Sequence, residues 1–428
     1  MRRRTDRSTG STNRRRVLHG AIVTGIGGLV GCLDDGPAAD DESGRDDGEA
    51  VDGDVADETH EYAAETVADG LSHPWGLAFL PEDGRLLVTE RDGDLRLVDP
   101  DGDANGDEPA NDPPVVDGTP DVLAISQGGL LDVALHPEYP AEPFVYLTYA
   151  AVNAEGDSTT HLGRGRFDPE TPAMKGFEVL HAAEPFVDSA GHFGSRVVFG
   201  ADGMAYVTVG DRQFKDFGPD HVSQDVSNEL GAILRLEPDG SIPEDNPFVD
   251  DPDVADAIHA YGLRNTQGLV RHPETDELWA SEHGERDGDS ITIIERGGNH
   301  GWPIAHYGCA YGTDDPVGDR PDERDDVVDP VYYWECGSGG FPPAGMTVYD
   351  GDAFPNWEGN LFVGTLAGEY LGRFTIDDPT AGHPEVAEVE ALLGGEGWRI
   401  RDVTVGPDDA LYVAVDASDA PVVRLVPA

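Results

Sequence analysis

The stretch from Gly191 to Asp211 reads as a hairpin with an ionisable group at each open end. Two apolar strand runs flank Asp202-Gly203, a strong short-range turn signal. Antiparallel pairing brings the open ends together, placing His192 and Asp211 side by side on one rim. A carboxylate beside an imidazole orients the ring and supports its protonated form, which is what a general base requires. The alternative is a loop histidine and a turn aspartate with no joint role.

Three arginines and one acidic loop add to this chemistry. Arg264 and Asn265 stand just before another apolar strand, in nearly the place His192 holds in its own unit. In Gly397-Trp398-Arg399-Ile400-Arg401-Asp402, the two arginines at i and i+2 share one face of an extended segment. Guanidinium groups spent on such loops point to an anionic ligand, because they pair two-fold with carboxylates. For any one of them a surface ion pair is the competing reading. The segments Ser281 to Ser290 and Gly297 to Pro303 are glycine-punctuated, rich in carboxylates and free carbonyls. Such loops suit Ca²⁺, which takes roughly six to eight oxygen ligands, although the spacing is not that of an EF-hand and acidic loops are ordinary in this chain.

The elements that must position these residues recur. An apolar strand, a turn rich in Pro, Asp and Gly, and a second apolar strand begin at Trp75, Leu131, Gln267, Met346 and Val403, and once more in the opening hairpin. Six copies at roughly 55 to 80 residue spacing indicate an array, not separate domains. Each copy continues into further strand-like runs, enough for a small antiparallel sheet. One such sheet cannot bury its own faces, whereas six arranged radially can. The expected fold is therefore all-β, a six-bladed β-propeller with four-stranded antiparallel blades, and a pair of β-sandwiches is the alternative. Sites on such a frame lie in loops at the top of the central channel, where the hairpin rim should point. The 55 glycines and 32 prolines among 428 residues agree with short, punctuated strands.

The formal charge of −57 includes only two lysines, Lys175 and Lys215. Such a surface repels nucleic acid and anionic lipid headgroups, and its spread over the whole chain fits a solvated surface adapted to very high salt. At the N-terminus, Arg14-Arg15-Arg16 precedes a short apolar run ending at Val30, too brief to span a bilayer, which looks like a twin-arginine export signal. Leu29-Val30-Gly31-Cys32 resembles a lipobox, with Cys32 as the lipidated residue of a protein held at the outer face of the cytoplasmic membrane. An uncleaved amphipathic leader is the alternative. Residues 1–32 are thus read as signal, 33–61 as an acidic disordered tether, and 62–428 as the folded body. Outside the cell, the remaining pair Cys309 and Cys336 favours a disulfide over free thiols or a metal site.

Taken in order, Pro74-Trp75-Gly76, Gln127-Gly128-Gly129-Leu130-Leu131, His192-Phe193-Gly194, Gly210-Asp211, Arg264-Asn265-Thr266-Gln267-Gly268, Glu282-His283-Gly284-Glu285, Gly297 to Pro303 and Arg399-Ile400-Arg401-Asp402 are similar to the soluble PQQ-dependent glucose and sorbosone dehydrogenases, over about Trp75 to Val426. The resemblance implies a propeller that holds pyrroloquinoline quinone and Ca²⁺ in its channel. It implies His192 as the base acting on a sugar's anomeric hydroxyl and Asp211 as its support. Arg264 and Asn265 would meet the quinone carbonyls, Gln127 and Tyr311 would make further cofactor contacts, and Arg399 and Arg401 would hold its carboxylates. The carbonyls of Gly284 and Glu285 would bind Ca²⁺.

The chain departs from that pattern at four places. Ala367 stands where the family often has a lysine on the cofactor, Ser290 where a glutamate of a second calcium site is common, and His300 where a tyrosine is common. Gly191, just before the base, offers no side chain to a sugar hydroxyl, so glucose specificity does not follow. The expected function is oxidation of the C1 hydroxyl of aldoses to lactones, with electrons passed to an external acceptor. A calcium-dependent lactonase or esterase would leave Arg399 and Arg401 without a duty. A non-catalytic propeller that binds carbohydrate or protein would not need the pairing of His192 with Asp211.

Overall fold

The computed structural model describes residues 60–81, 83–102 and 110–428. The leader with Cys32, and nearly all of the acidic tether, lie outside the described residues. Six sheets follow one another along the chain. Blade 1 holds Pro74–Phe79, Leu86–Glu90 and Leu95–Val98, and blade 2 holds Leu130–Leu135, Phe144–Val152, Ser158–Asp168 and Ala173–Ala182. Blade 3 holds Val197–Phe199, Ala205–Val209, Ala232–Leu236 and Ile258–Tyr261; blade 4 holds Thr266–Arg271, Leu278–Glu282, Ser290–Ile293 and Tyr332–Tyr333. Blade 5 holds Pro343–Val348, Leu361–Thr365, Leu371–Asp377 and Glu385–Leu392.

Blade 6 is built from both ends of the body. Its strands Ile400–Val405, Leu411–Val415 and Ala420–Pro427 are completed by Tyr62–Leu71, paired antiparallel from Tyr62 opposite Pro427 to Leu71 opposite Ala420. The first strands of successive blades touch in a closed cycle, so the molecule is a six-bladed β-propeller. All six strand pairs expected from the repeat are present. Blade 1 has three strands, not four: Pro113 and Pro114 withhold backbone donors, and Val115 makes only a single bridge to Arg96 where a fourth strand would run.

Each sheet is covered on both sides by its neighbours, so the second strands do not alternate. Every residue of Leu86–Glu90, Ala205–Val209, Leu278–Glu282, Leu361–Thr365 and Leu411–Val415 is buried. This explains why continuous apolar runs mark them in the sequence. Among the described residues the helices are two three-residue 3₁₀ turns, Val222–Gln224 and Pro321–Glu323, and none is long and apolar enough to cross a membrane.

The axis is occupied by Arg196. Its Nη1 lies 3.1 Å from Asp132 of blade 2 and 3.0 Å from Asp402 of blade 6. Nε donates to the carbonyl of Gln267 in blade 4 at 2.6 Å, and Nη2 to that of Arg401 at 3.0 Å. The guanidinium lies 4.1 Å over the ring of Trp75 in blade 1. In blade 5 a side chain at Gly345 would meet both Arg196 and Asp402. A residue of blade 3 therefore meets all five other blades at one point, and burial pushes the Asp402 carboxyl up to about 6 while Arg196 opposes the shift.

Candidate functional site

The hairpin forms as its sequence suggests, with Val197 opposite Val207 and Phe199 opposite Ala205, and Gly203 takes the left-handed turn position at φ 79°. Its open end brings His192 Nδ1 within 2.6 Å of Asp211 Oδ1, with both side chains 1% exposed. The carboxylate partner assigns the proton to Nδ1 and makes Nε2 the basic nitrogen. His192 sits at φ 46°, a left-handed conformation costly for a residue with a Cβ. Neighbouring groups hold it there: Gln127 Oε1 accepts the His192 backbone N–H at 2.7 Å, and Asn265 Oδ1 accepts that of Gly194 at 3.2 Å. Gly210 has no side chain because a Cβ would lie 2.2 Å from the His192 carbonyl oxygen.

Asp211 is held as firmly as it holds. Its Oδ2 accepts the indole N–H of Trp302 at 2.9 Å, its Oδ1 accepts the Gln213 N–H at 2.9 Å, and His221 Nε2 stands 3.7 Å away. Burial alone would raise this carboxyl, but the charge and hydrogen bond of His192, with Arg264 and His221 nearby, bring it below the usual carboxylate range. The residue stays ionised, as the partner of a base must.

Arg264 is 2% exposed and held through its main chain and its guanidinium Nη2. Its backbone N–H donates to Glu282, its carbonyl accepts from Asp211 N–H at 2.7 Å, and Nη2 donates to Glu285 at 2.8 Å. The guanidinium lies 5.4 Å over the Trp302 ring, so one indole touches both the arginine and the dyad's carboxylate. Lys215 donates to the same Glu285 carboxylate at 2.8 and 2.6 Å, and its ammonium lies 5.4 Å over Tyr311. Tyr311 is carried by a loop that the Cys309–Cys336 disulfide ties down. Glu282 is buried, and desolvation pushes its carboxyl up to about 8 against the Arg264 N–H it accepts.

The loop after Glu282 turns so tightly that a Cβ at Gly284 would lie 2.0 Å from the Asp287 carbonyl oxygen. Asp289 closes it, Oδ1 accepting from Gly284 N at 2.9 Å and Oδ2 from Phe341 N at 2.7 Å. Among the described residues, no group donates a hydrogen bond to the carbonyls of Gly284 or Glu285. Two adjacent uncommitted carbonyls on a rigid acidic loop fit a Ca²⁺ ion whose other ligands come from a bound cofactor or water. The side chain of Glu285 is engaged instead by Arg264 and Lys215.

Arg399 and Arg401 both reach Asp416, at 3.8 Å and 2.5 Å. They are not equivalent: Arg401 is buried and also donates to Gln267 Oε1 at 2.7 Å, whereas the Arg399 side chain is 26% exposed. Asp416 further meets His73 Nδ1 at 2.7 Å, and its carboxyl, which burial alone would raise, is held far below the usual range by Arg401 and His73. Ser290 and His300 line a small cavity with Glu282, Thr292 and Trp302, and Ala367 is exposed. A Cβ at Gly191 would lie 2.3 Å from the end of the Gln213 side chain, which would have to move aside. Trp302 and Asp416 carry no separate signal in the chain, although Trp302 lies within the Gly297 to Pro303 motif and Asp416 follows its strand much as Asp211 follows Val209.

Residues 71–424 match the family model described as Glucose / Sorbosone dehydrogenase. The aldose sugar dehydrogenase YliI of Escherichia coli is 34% identical over 368 residues, covering 85% of this chain and 92% of the relative. The crystal structure of the soluble aldose sugar dehydrogenase from Escherichia coli in its apo-form superposes with a TM-score of 0.77 at 33% identity, over 86% of this chain and all of that one. The PQQ-bound aldose sugar dehydrogenase from Streptomyces coelicolor superposes with a TM-score of 0.66 at 26% identity, over 86% of this chain and 99% of that one. A propeller with this dyad and these motifs in this order belongs to the glucose/sorbosone dehydrogenase family.

Proposed function

We propose that this protein is a pyrroloquinoline quinone- and Ca²⁺-dependent dehydrogenase that oxidises the C1 hydroxyl of aldoses to lactones and passes the electrons to an external acceptor. The observation that carries the reading is the buried pair of His192 and Asp211 set against Arg264. The PQQ-bound relative supports the choice of cofactor. Arg264, Asn265, Gln127 and Tyr311 would hold the quinone, Arg399, with Arg401 behind it, would meet its carboxylates, and the carbonyls of Gly284 and Glu285 would hold Ca²⁺. Bound there, the quinone supplies the hydride acceptor and the ion polarises it.

The chain's own groups handle the proton and the charge. His192 takes the proton of the C1 hydroxyl at Nε2 as the C1 hydride departs, leaving the lactone. Asp211 keeps the ring in the required tautomer and stabilises the imidazolium that forms. Arg264, fixed by Glu285 and Trp302 before any substrate arrives, faces negative charge as it develops. The leader and Cys32 place the enzyme outside the cell on a lipid anchor, facing high salt.

The test adds pyrroloquinoline quinone and Ca²⁺ to the protein in high salt and follows dye reduction with a panel of aldoses. Bound quinone with sugar-dependent reduction is expected, and His192→Ala should keep the quinone while losing turnover. Absence of both quinone binding and reduction with every aldose would overturn the reading; turnover in His192→Ala would show that the base is another group.

A further inference from the structure

Arg212 follows the dyad's aspartate directly and is one of the largest fully buried side chains in the molecule. Among the described residues no carboxylate lies within ion-pair distance of it. Its donors go to main chain and one hydroxyl: Nε to the carbonyl of Gly191 at 2.8 Å, Nη1 to that of Ser158 at 2.9 Å, and Nη2 to Ser158 Oγ at 2.9 Å and to the Ser189 carbonyl at 2.6 Å. The guanidinium also lies 3.8 Å over the ring of Phe193. It thus grips the residue before His192, the one after it and Ser189, and ties all three to Ser158 at the start of the third strand of blade 2.

A buried cation with no carboxylate in ion-pair contact is costly, and burial lowers this guanidinium to about 9 although the charge of the neighbouring Asp211 opposes the shift. A hydrophobic side chain would fill the space without that cost, so the fork of donors needs a reason. The reason lies in what it grips. His192 at φ 46°, Arg212 at φ 58° and Gln213 at φ 64° are all left-handed residues with side chains, packed around one hydrogen bond of 2.6 Å. Such backbone persists only where its surroundings over-determine it. Gln127 and Asn265 hold the backbone at His192 and Gly194. The carbonyls at Ser189 and Gly191 are gripped by Arg212.

We infer that Arg212 is a positioning residue for the base: its planar fork locks the Ser189 to Phe193 segment so that the imidazole of His192 is aligned on Asp211 before substrate binds. The inference rests on the reading of His192 as the base. Lysine cannot replace arginine here, since a single ammonium cannot reach four acceptors set in a plane.

The test compares Arg212→Met and Arg212→Lys in the full chain. The first readout needs no activity: the proton NMR signal of the Nδ1–H between His192 and Asp211, identified by its loss in His192→Gln. It should be sharp in the parent, lost to exchange in Arg212→Met, and weakened in Arg212→Lys. The second is steady-state kinetics with quinone and Ca²⁺, where kcat should fall by about 10²-fold in Arg212→Met, the loss expected from misplacing a reacting group by about 1 Å. KM and quinone affinity should hold, and Arg212→Lys should lie between. An unchanged proton signal and kcat in a folded Arg212→Met protein would overturn the inference, as would losses of kcat, quinone affinity and thermal stability in step. If Arg212→Met does not fold, the same outcomes in Arg212→Lys decide. If the parent oxidises no aldose, the reading of function falls while the proton signal still decides the part of Arg212.

Discussion

The indole N–H of Trp302 is hydrogen-bonded to Asp211 at 2.9 Å, so the carboxylate behind the base is aimed from a loop of the next blade. A hydrogen bond to a charged group contributes about 1.5–3 kcal/mol. Trp302→Phe keeps most of the ring packing against Phe217, His221 and His306 and removes only the donor. We expect kcat to fall by roughly 10- to 100-fold with KM and quinone affinity close to those of the parent. Steady-state dye reduction measures this, and an unaltered kcat would remove Trp302 from the support of the dyad.

Asp416 separates the roles of the two C-terminal arginines. Asp416→Asn leaves Arg401 buried without its counter-charge, a change that costs about 3–5 kcal/mol when one member of a buried pair is removed. Thermal unfolding should shift to clearly lower temperature. Arg399→Met should leave stability nearly untouched and weaken quinone binding, read by titration with pyrroloquinoline quinone. Equal effects of the two variants on both readouts would contradict the division.

Glu282 gives the fold a pH signature. Its carboxyl is raised to about 8 from an ordinary value of 4.5, because burial disfavours the charged form. A raised carboxyl contributes stability that is complete below about 4.5 and is lost as pH rises through about 8. Glu282→Gln keeps an acceptor for the Arg264 N–H and cannot ionise. The unfolding temperature of Glu282→Gln relative to the parent should therefore climb between about pH 4.5 and 8 and level off above. A difference independent of pH would mean that Glu282 is ionised throughout.

The formal charge of −57 predicts dependence on salt. At molar ionic strength the screening length falls to about 3 Å, which quiets repulsion between carboxylates spread over the surface. Transfer to dilute buffer should lower the unfolding temperature and in the limit unfold the protein, followed by circular dichroism. Equal stability in dilute buffer and in concentrated salt would sink the reading of a salt-adapted surface.

Much of the frame was legible because its strands announce themselves locally. The apolar runs with Pro, Asp and Gly between them gave all six blades, and Asp202-Gly203 placed His192 beside Asp211. The expectation of four strands in every blade missed that blade 1 has three, with Pro113 and Pro114 standing where the fourth would run. What stayed hidden depends on contacts distant in sequence. Trp302 meets Asp211 across 91 residues and Arg196 meets Arg401 across 205, and no local pattern encodes a partner that far away. The arginine pair shows the same limit: spacing put Arg399 and Arg401 together, but only the fold reveals that Asp416 and Gln267 have already claimed one of them.

The meeting of six blades at Arg196 bears on how the molecule comes apart. A linear array of repeats can fray from its ends, each unit leaning only on its neighbours. Here the first and last strands share a sheet, and the axial guanidinium draws on every sheet at once. Loss of any one blade strips the axis of part of what holds that charge, and the remaining five inherit a buried cation they cannot satisfy. The ring should therefore melt as one cooperative unit, without a stable five-bladed intermediate.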